Sequence, residues 1–282
     1  MKLFVRALAL FLLTSTGLCL PCRADSLKPT KIRRLVIASK DLSERDRRQV
    51  VRQFEGYTFP GRGEPVSEDA LIEELGERVR QAFRNLGYFK AVVNEPRASF
   101  VASDHGKRIV DIRVRAQAGA QYRLGEIQFT GAKAFPTDRL RAVFEQQNGD
   151  VYNATKFGAG LENLRTLYGT AGYAQMSFVP SPITDESRHL IDWTIDISEG
   201  WTYSFGRLIL DGPEPHAGAG FALLDSWHAL EGKQYNPLLL QQWLEASRAN
   251  WQNGSGVADP SCSYPDGESR MVIVKLSFPE VP

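Results

Sequence analysis

Cysteine is scarce in this chain, and most of it lies near the N-terminus. Of the three cysteines, Cys19 and Cys22 precede Asp25, and only Cys262 lies further along. A chain cut before Asp25 keeps one cysteine and has no internal disulfide. With 43% hydrophobic residues, the chain has enough apolar side chains to build a core. Its folding must therefore rest on apolar packing.

The N-terminal hydrophobic run is too short to cross a bilayer as a helix. It covers residues 7–20, which is 14 residues, whereas a spanning helix needs ~20. A basic start precedes the run, and the small residues Cys22 and Ala24 stand three and one positions before Asp25. This layout predicts a secretory signal peptide over residues 1–24 and no membrane span in the mature chain. An uncleaved membrane anchor is the alternative interpretation.

An excess of one charge is lacking as well. Loss of residues 1–24 removes three basic residues and no acidic ones, which leaves 31 basic against 33 acidic residues and a net charge of −2. A protein that binds nucleic acid through an overall positive field would be basic. We therefore expect no nucleic-acid partner.

Catalytic and metal-binding patterns are absent from the sequence. The chain has four histidines, His105, His189, His216 and His228. Their spacing would not place two of them on one face of a helix, where they could bind a metal ion. There is no Gly-x-Ser-x-Gly elbow and no phosphate-binding Gly-x-x-x-x-Gly-Lys-Ser/Thr loop. Cys262 has no paired base in sequence, which favours a bystander thiol over a nucleophile. The sequence predicts a protein that is not an enzyme, with no metal and no cofactor.

What the chain does have is an internal repeat. The stretches "YRLGEIQFTG" from Tyr122 and "YSFGRLILDG" from Tyr203 share Tyr, Gly and Gly at the same positions, 81 residues apart. "GDVYN" from Gly149 returns as "GKQYN" from Gly232. A period of 81–85 residues used three times indicates one structural unit in three copies.

Each copy has the pattern β-α-α-β-β. In the middle copy an alternating strand precedes Gly131, two segments with helical apolar spacing end near Gly149 and Gly172, and two alternating strands follow. Asn153 is a predicted helix N-cap. We expect domains at 31–117, which is the divergent copy, at 121–200, and at 201–282.

The landmarks of the middle copy resemble the polypeptide-transport-associated (POTRA) domains of outer-membrane barrel-assembly and surface-antigen proteins. The shared features are a strand ending in Phe-x-Gly, a later aromatic residue, Gly-x-x-Tyr before the second helix, Gly-Tyr after it, and a final Glu-Gly. In this sequence they fall at Phe129, Gly131, Phe135, Gly149, Tyr152, Gly172, Tyr173, Glu199 and Gly200. The glycines are expected to serve turns and positive φ angles rather than chemistry.

The resemblance implies an α+β fold, with a three-stranded mixed sheet and two helices on one face in each unit. It also places the second strand of each unit at the sheet edge, here Phe89 to Asn94, Ala174 to Val179, and the region near Ala258 to Ser261. Such an edge can accept an extended polypeptide through backbone hydrogen bonds that depend little on sequence. The residues predicted for this contact are Ala174, Gln175, Met176, Ser177 and Phe178, together with Lys90, Ala91, Val92 and Val93. A plain sheet margin, or packing on a neighbouring unit, is the alternative.

The function expected from this resemblance is a non-catalytic periplasmic protein, or one at the periplasmic face of the outer membrane. Its expected partners are unfolded outer-membrane or secreted polypeptides, and also an outer-membrane β-barrel protein. Because the sequence stops after the third unit, we expect an arm without its own barrel, with a reading frame split from a barrel as the alternative. A cell-envelope structural or division-type docking protein, held by an uncleaved anchor, is a second hypothesis. A polysaccharide-binding module would need an aromatic pocket that the sequence does not indicate.

Overall fold

A computed structural model describes residues 29–59, 68–94, 96–104, 106–213, 217–248, 259–263 and 269–278. The predicted signal peptide, residues 1–24, lies outside these ranges. The described residues form three sheets and three hydrophobic clusters that follow one another along the chain. We call the corresponding parts of the chain unit 1, unit 2 and unit 3.

Unit 1 holds seven elements. They are β1 (Thr30–Ala38), α1 (Glu44–Phe54), β2 (Thr58–Phe59), α2 (Glu68–Arg84), β3 (Val92–Val93), β4 (Arg97–Asp104) and β5 (Lys107–Gln117). The sheet order is β2-β1-β5, and both β3 and β4 pair antiparallel with β5. The strands β1 and β5 run parallel.

Unit 2 is the regular copy. It consists of β6 (Arg123–Thr130), α3 (Thr137–Ala142), α4 (Ala154–Thr170), β7 (Ser177–Asp185) and β8 (Leu190–Ser198). Its sheet has the order β6-β8-β7, with β6 parallel and β7 antiparallel to β8. Asn153 caps α4 by accepting a hydrogen bond from the Lys156 amide, as predicted.

Unit 3 repeats this topology. It consists of β9 (Ser204–Asp211), α5 (Ala219–Trp227), α6 (Pro237–Ala246), β10 (Asp259–Ser263) and β11 (Met271–Ser277). The order β10-β11-β9 again has one parallel and one antiparallel pair. The α+β class with mixed three-stranded sheets is therefore confirmed, and unit 1 adds to it the short strand β2 and a divided edge strand.

Each core lies between the helices and one face of the sheet. In β5 the residues Val110, Ile112 and Val114 are buried, while the alternate positions face away from the helices. The same period of two makes Ile191, Trp193, Ile195 and Ile197 the buried side of β8. In β5 and β8 the residues on the other face of the sheet are exposed or half-buried, and each sheet has at least one strand edge without a ladder partner in the described ranges.

Two elements differ from the sequence prediction. The helix expected to run up to Gly149 ends at Ala142, and the carbonyl oxygens of Phe144 and Gln146 beyond it accept hydrogen bonds from the Arg141 side chain at 3.2 and 2.6 Å. In unit 1 the second strand was expected to end at Asn94, whereas its main part is β4, from Arg97 onward. Pro96 separates β3 from β4 because proline cannot donate to a sheet ladder.

Candidate polypeptide-binding edges

The second strand of each unit lies at an edge of its sheet. Among the described residues, β4 pairs only with β5, β7 only with β8, and β10 only with β11. The outer side of each of these strands presents backbone N–H and C=O groups without a ladder partner. These three edges are the candidate sites.

The five residues predicted in unit 2 divide between a turn and the edge strand. Ala174 and Gln175 form a turn, Met176 is 6% exposed and contributes to the core, and only Ser177 and Phe178 belong to β7. The strand begins at Ser177 because the preceding backbone bonds locally: the Ala174 amide donates to the Gly172 carbonyl, and the Met176 amide to that of Tyr173.

The four residues predicted in unit 1 divide in a similar way. Lys90 and Ala91 lie in a turn, and the Ala91 amide donates to the Tyr88 carbonyl. Val92 and Val93 form β3, paired with Gln117 and Ala116. Of the nine predicted residues, the structure therefore places four in edge strands.

The strand β4 was missed in the sequence. Its eight residues, "RASFVASD", lack clean alternation, and almost all of them are exposed. Phe100 and Val101 are 59% and 38% exposed, and the ladder has a bulge between Phe100 and Ala102. The sequence feature that could have revealed β4 is Gly106, because a glycine turn directly before the recognised strand β5 implies a hairpin with a preceding strand.

Two prolines interrupt the open edge of β7. This strand pairs with β8 from Ser177 to Asp185 without a register shift, and it includes Pro180 and Pro182. A proline nitrogen has no hydrogen, so it fits a ladder only when it faces away from the partner strand. The outward side of β7 is therefore formed by Phe178, Pro180, Pro182 and Thr184, and its two central positions have no N–H to offer.

The other two edges differ in this respect. No proline lies within β4, so its outward donors are intact along the strand. The five-residue strand β10 contains Pro260, and Ala258, which was part of the predicted edge, lies outside the described residues. Of the described edges, β4 is the one without a proline, and the bulge after Phe100 divides its row of donors and acceptors into two parts.

The family model for POTRA, described as a surface antigen variable number repeat, matches residues 122–200. This range covers unit 2. The crystal structure of Haemophilus influenzae BamA POTRA3-5 aligns with 89% of this chain and 97% of its own, with a TM-score of 0.61 and 17% identity. At that identity the likeness shows the fold, and it extends over all three units.

A curated relative is the outer membrane protein assembly factor BamA of Neisseria meningitidis serogroup B (strain ATCC BAA-335 / MC58). It is 22% identical over 159 residues, which cover 54% of this chain and 19% of the relative. The matched part thus spans about a fifth of that protein's length.

The POTRA motif residues have structural positions in unit 2. Gly131 has a φ of 75°, and a Cβ atom there would lie 2.1 Å from the Ile197 carbonyl oxygen. Tyr152 is 3% exposed, and its ring contacts those of Phe157 and Trp193. Of the remaining motif residues, Tyr173 packs edge-on against another tyrosine ring, and Gly149 and Gly200 lie outside the helices and strands.

The glutamate of the final Glu-Gly motif holds the loop after β6. The carboxylate oxygen Oε1 of Glu199 accepts from the amides of Lys133 and Ala134 at 2.7 and 2.8 Å, and from the Tyr168 hydroxyl at 2.9 Å. Burial raises the pKa of Glu199, but these hydrogen bonds outweigh it and bring the pKa below its ordinary value. Glu199 therefore remains charged and connects the end of β8 to the start of the helical layer.

The turns that precede the POTRA edge strands form the contacts between units. The Tyr122 amide donates to the Gly87 carbonyl, and the Tyr203 amide to the Gly172 carbonyl, both at 2.8 Å. The equivalent glycines thus occupy the same place in two successive junctions. Both have positive φ, and at Gly172 a Cβ atom would lie 2.9 Å from the Gln234 side chain.

Side chains reinforce the junction between units 1 and 2. Asn85 accepts from the Thr155 amide through Oδ1 at 2.9 Å, and its carbonyl oxygen accepts from the Asn153 side chain at 3.0 Å. Phe89 of unit 1 packs edge-on against Tyr152 and Trp193 of unit 2. Phe89, the first residue of the predicted edge strand, thus helps to join one unit to the next.

An ion pair also crosses this junction. Lys90 and the Tyr122 hydroxyl both donate to the carboxylate of Glu186. The hydrogen bond from Lys90, followed by that from Tyr122, lowers the pKa of Glu186 to about 2. Lys90, predicted for polypeptide contact, is therefore engaged within the molecule.

Other kinds of site find little support in the described part of the chain. It contains no group of three or more His, Cys, Asp or Glu residues that could hold a metal ion. Burial raises the pKa of the Cys262 thiol, so it is protonated at neutral pH. In the same ranges, none of the helices has the length and apolar character needed to cross a bilayer.

Proposed function

We propose that this chain is a non-catalytic scaffold in outer-membrane protein assembly or secretion that binds extended polypeptides at an exposed strand edge. The observation that carries the proposal is the unpaired edge strand in a chain of POTRA fold. The named relative is an outer membrane protein assembly factor, which fits this role.

The edge favoured for binding is that of β4. An added strand needs alternating donors and acceptors along several residues. The outer side of β4 offers such groups from Arg97 to Phe100 and, beyond the bulge, at Ala102 and Ser103, whereas Pro180 and Pro182 divide the edge of β7. On β7 the contact would be limited to Phe178, the one predicted residue whose backbone faces outward ahead of the first proline.

The short junctions support the same function. Each unit is bound to the next through backbone and side-chain hydrogen bonds, as at Asn85 and Gln234. Such connections limit the swing of one unit against another. A client held at unit 1 would then keep a defined position relative to units 2 and 3.

Site-specific photo-crosslinking in cells tests the edge. A photoreactive residue at Ser99 in β4 should capture outer-membrane or secreted polypeptides, or an outer-membrane β-barrel partner. The matched position is Ser181, which lies on β7 between the two prolines. Equal capture at both positions, or capture at neither, contradicts the proposal.

Proline substitution separates edge binding from fold stability. Ala98→Pro and Ser99→Pro alter adjacent positions, and neighbouring residues of a strand direct their N–H groups to opposite sides. One variant should destabilise unit 1, and the other should keep its stability but lose polypeptide capture. Conversely, Pro180→Ala with Pro182→Ala should create capture at Ser181. If every proline variant that loses polypeptide capture also loses the folded state of unit 1, the result would count against an edge site.

We place the protein in the periplasm after removal of residues 1–24. The basic start, the 14-residue apolar run and Ala24 before Asp25 support this location. Mass spectrometry of the purified protein should find Asp25 at its N-terminus. A chain that retains Met1 would favour the anchored docking protein instead.

A further inference from the structure

The charge of this chain is distributed unevenly between its units. Residues 31–117 contain 18 basic and 13 acidic residues, a net charge of +5. Residues 118–282 contain 12 basic and 19 acidic residues, a net charge of −7. A nearly neutral protein thus has a distinctly basic first unit, and the question is where its cations lie.

Several of them lie on the sheet face that the helices do not cover. In β5 the alternate residues Asp111, Arg113 and Arg115 point away from the buried Val110 and Ile112. Arg97 of β4 lies directly opposite Arg113 in the ladder. The Asn94 amide donates to the Arg115 carbonyl at 2.9 Å, which places Asn94 opposite Arg115.

These four side chains line one shallow depression. It lies where the edge strand is interrupted between β3 and β4, and its described lining is Asn94, Arg97, Arg113 and Arg115. The three guanidinium groups form no ion pair with any residue in the described ranges. Like charges directly opposite in a sheet are unfavourable, so this arrangement lowers stability unless an anion lies between them.

The described carboxylate nearest in sequence does not neutralise the cluster. Asp111, two residues before Arg113, accepts two hydrogen bonds from Arg33 at 2.9 and 2.6 Å. The hydrogen bond from Arg33 lowers the pKa of Asp111, so this carboxylate stays ionised and bound to its own partner. The charge of Arg113 adds to this lowering of the pKa of Asp111, but Arg97, Arg113 and Arg115 form no ion pair of their own within the described ranges.

We propose that Asn94, Arg97, Arg113 and Arg115 form a binding site for a phosphate group. A guanidinium offers a planar fork of donors that matches a phosphate in a bidentate manner. A carboxylate has two oxygens, and one bidentate arginine engages both of them, whereas a phosphate group has further oxygens for bidentate contacts with other arginines. Three arginines and an amide that line one depression therefore suit a phosphate better than a carboxylate.

The phosphate could belong to a lipid headgroup or to a soluble phosphate ester, and two probes separate these sources. One probe is inorganic phosphate, titrated into the full chain while the arginine side-chain signals are followed by NMR. The other is a set of phosphatidylcholine vesicles with and without phosphatidylglycerol, used in a co-sedimentation assay.

A triple variant tests the site, and a second triple variant is its matched control. Replacing Arg97, Arg113 and Arg115 by glutamine should weaken binding by about tenfold or more. Replacing Arg45, Arg48 and Arg52 on α1 by glutamine removes the same charge from the same unit, away from the sheet face. The control should bind within about twofold of the wild type.

Each outcome has a defined meaning. If only the sheet-face variant loses binding to the vesicles, the ligand is a lipid headgroup. If only that variant loses binding to inorganic phosphate, and the wild type does not bind the vesicles, the ligand is a soluble ester. Equal loss in both variants, no binding to either probe, or tighter binding of polyglutamate than of phosphate overturns the proposal. Crosslinking at Ser99 in the sheet-face variant reports separately on the polypeptide edge, so the two proposals can fail independently.

Discussion

Replacement of Glu199 by alanine should open unit 2 locally. One carboxylate oxygen accepts from the amides of Lys133 and Ala134 and from the hydroxyl of Tyr168, which is fully buried. Water can solvate the loop amides in the variant, but the buried hydroxyl is left without an acceptor, at a cost of about 1–3 kcal/mol. When the lost hydrogen bonds to the two loop amides are added to this cost, we expect Glu199→Ala to reduce the free energy of unfolding of unit 2 by about 2–3 kcal/mol.

Hydrogen exchange of the full chain is the suitable assay, because it reports the opening free energy of unit 2 without assuming that all units unfold together. Glu199→Gln keeps an acceptor oxygen and should cost about 1 kcal/mol. In a Tyr168→Phe background there is no hydroxyl to leave unpaired, so Glu199→Ala should cost about 1–2 kcal/mol less than in the wild type. An equal cost in both backgrounds would refute the assigned role of the carboxylate.

The pH dependence of the same contact follows from the direction in which the pKa of Glu199 is shifted. The pKa of Glu199 is lowered in the folded chain, so its contribution is fully present above the ordinary value of 4.5 and is lost as the pH falls below it. The protection factors of the amides in β6 and β8, which correct for the intrinsic exchange rate at each pH, should therefore fall below that pH in the wild type. The variant Glu199→Ala should lack this part of the pH dependence.

Two further predictions concern a glycine pair and a junction. Gly131→Ala and Gly149→Ala both force alanine into a positive φ, at a cost of about 1–2 kcal/mol. Only at Gly131 would the new Cβ atom also clash with the Ile197 carbonyl oxygen, so the thermal unfolding temperature of Gly131→Ala should fall clearly further than that of Gly149→Ala. Equal falls in the two variants would contradict this. Since the pKa of Glu186 is lowered to about 2, its bond to Lys90 should contribute fully above pH ~4.5 and weaken as the pH falls towards 2. Glu186→Gln should broaden the distribution of distances between spin labels on units 1 and 2 at neutral pH, and a distribution of unchanged width would contradict this role of the contact.

Local sequence patterns sufficed for the order of strands and helices along unit 2, whereas the resemblance to POTRA domains implied the arrangement of its sheet. The alternation in "HLIDWTIDIS" gave β8, whose buried residues are those predicted, and Asn153 caps α4 as expected. Period and capping are local properties, since they depend on side chains a few positions apart. This is why the fold class could be predicted from the residues themselves.

The start of each edge strand could not be predicted in the same way. Ala174 and Lys90 stand at the end of a Gly-Tyr turn, and their neighbours in sequence look like strand residues. In the structure Ala174 packs against the core of unit 3, and Lys90 binds Glu186 of unit 2. These are contacts with a following unit, and no local pattern contains them.

The sequence by itself determined three copies of one α+β unit, the faces of their strands and the caps of their helices, because these follow from periodicity and local hydrogen bonding. The tertiary structure decided which edge is open and where the cations gather. The ladder turns Pro180 and Pro182 outward on β7 and leaves β4 without such a block, and it places Arg97 beside Arg113 across sixteen residues of chain. Strand register brings distant residues together, and register is a property of the folded sheet.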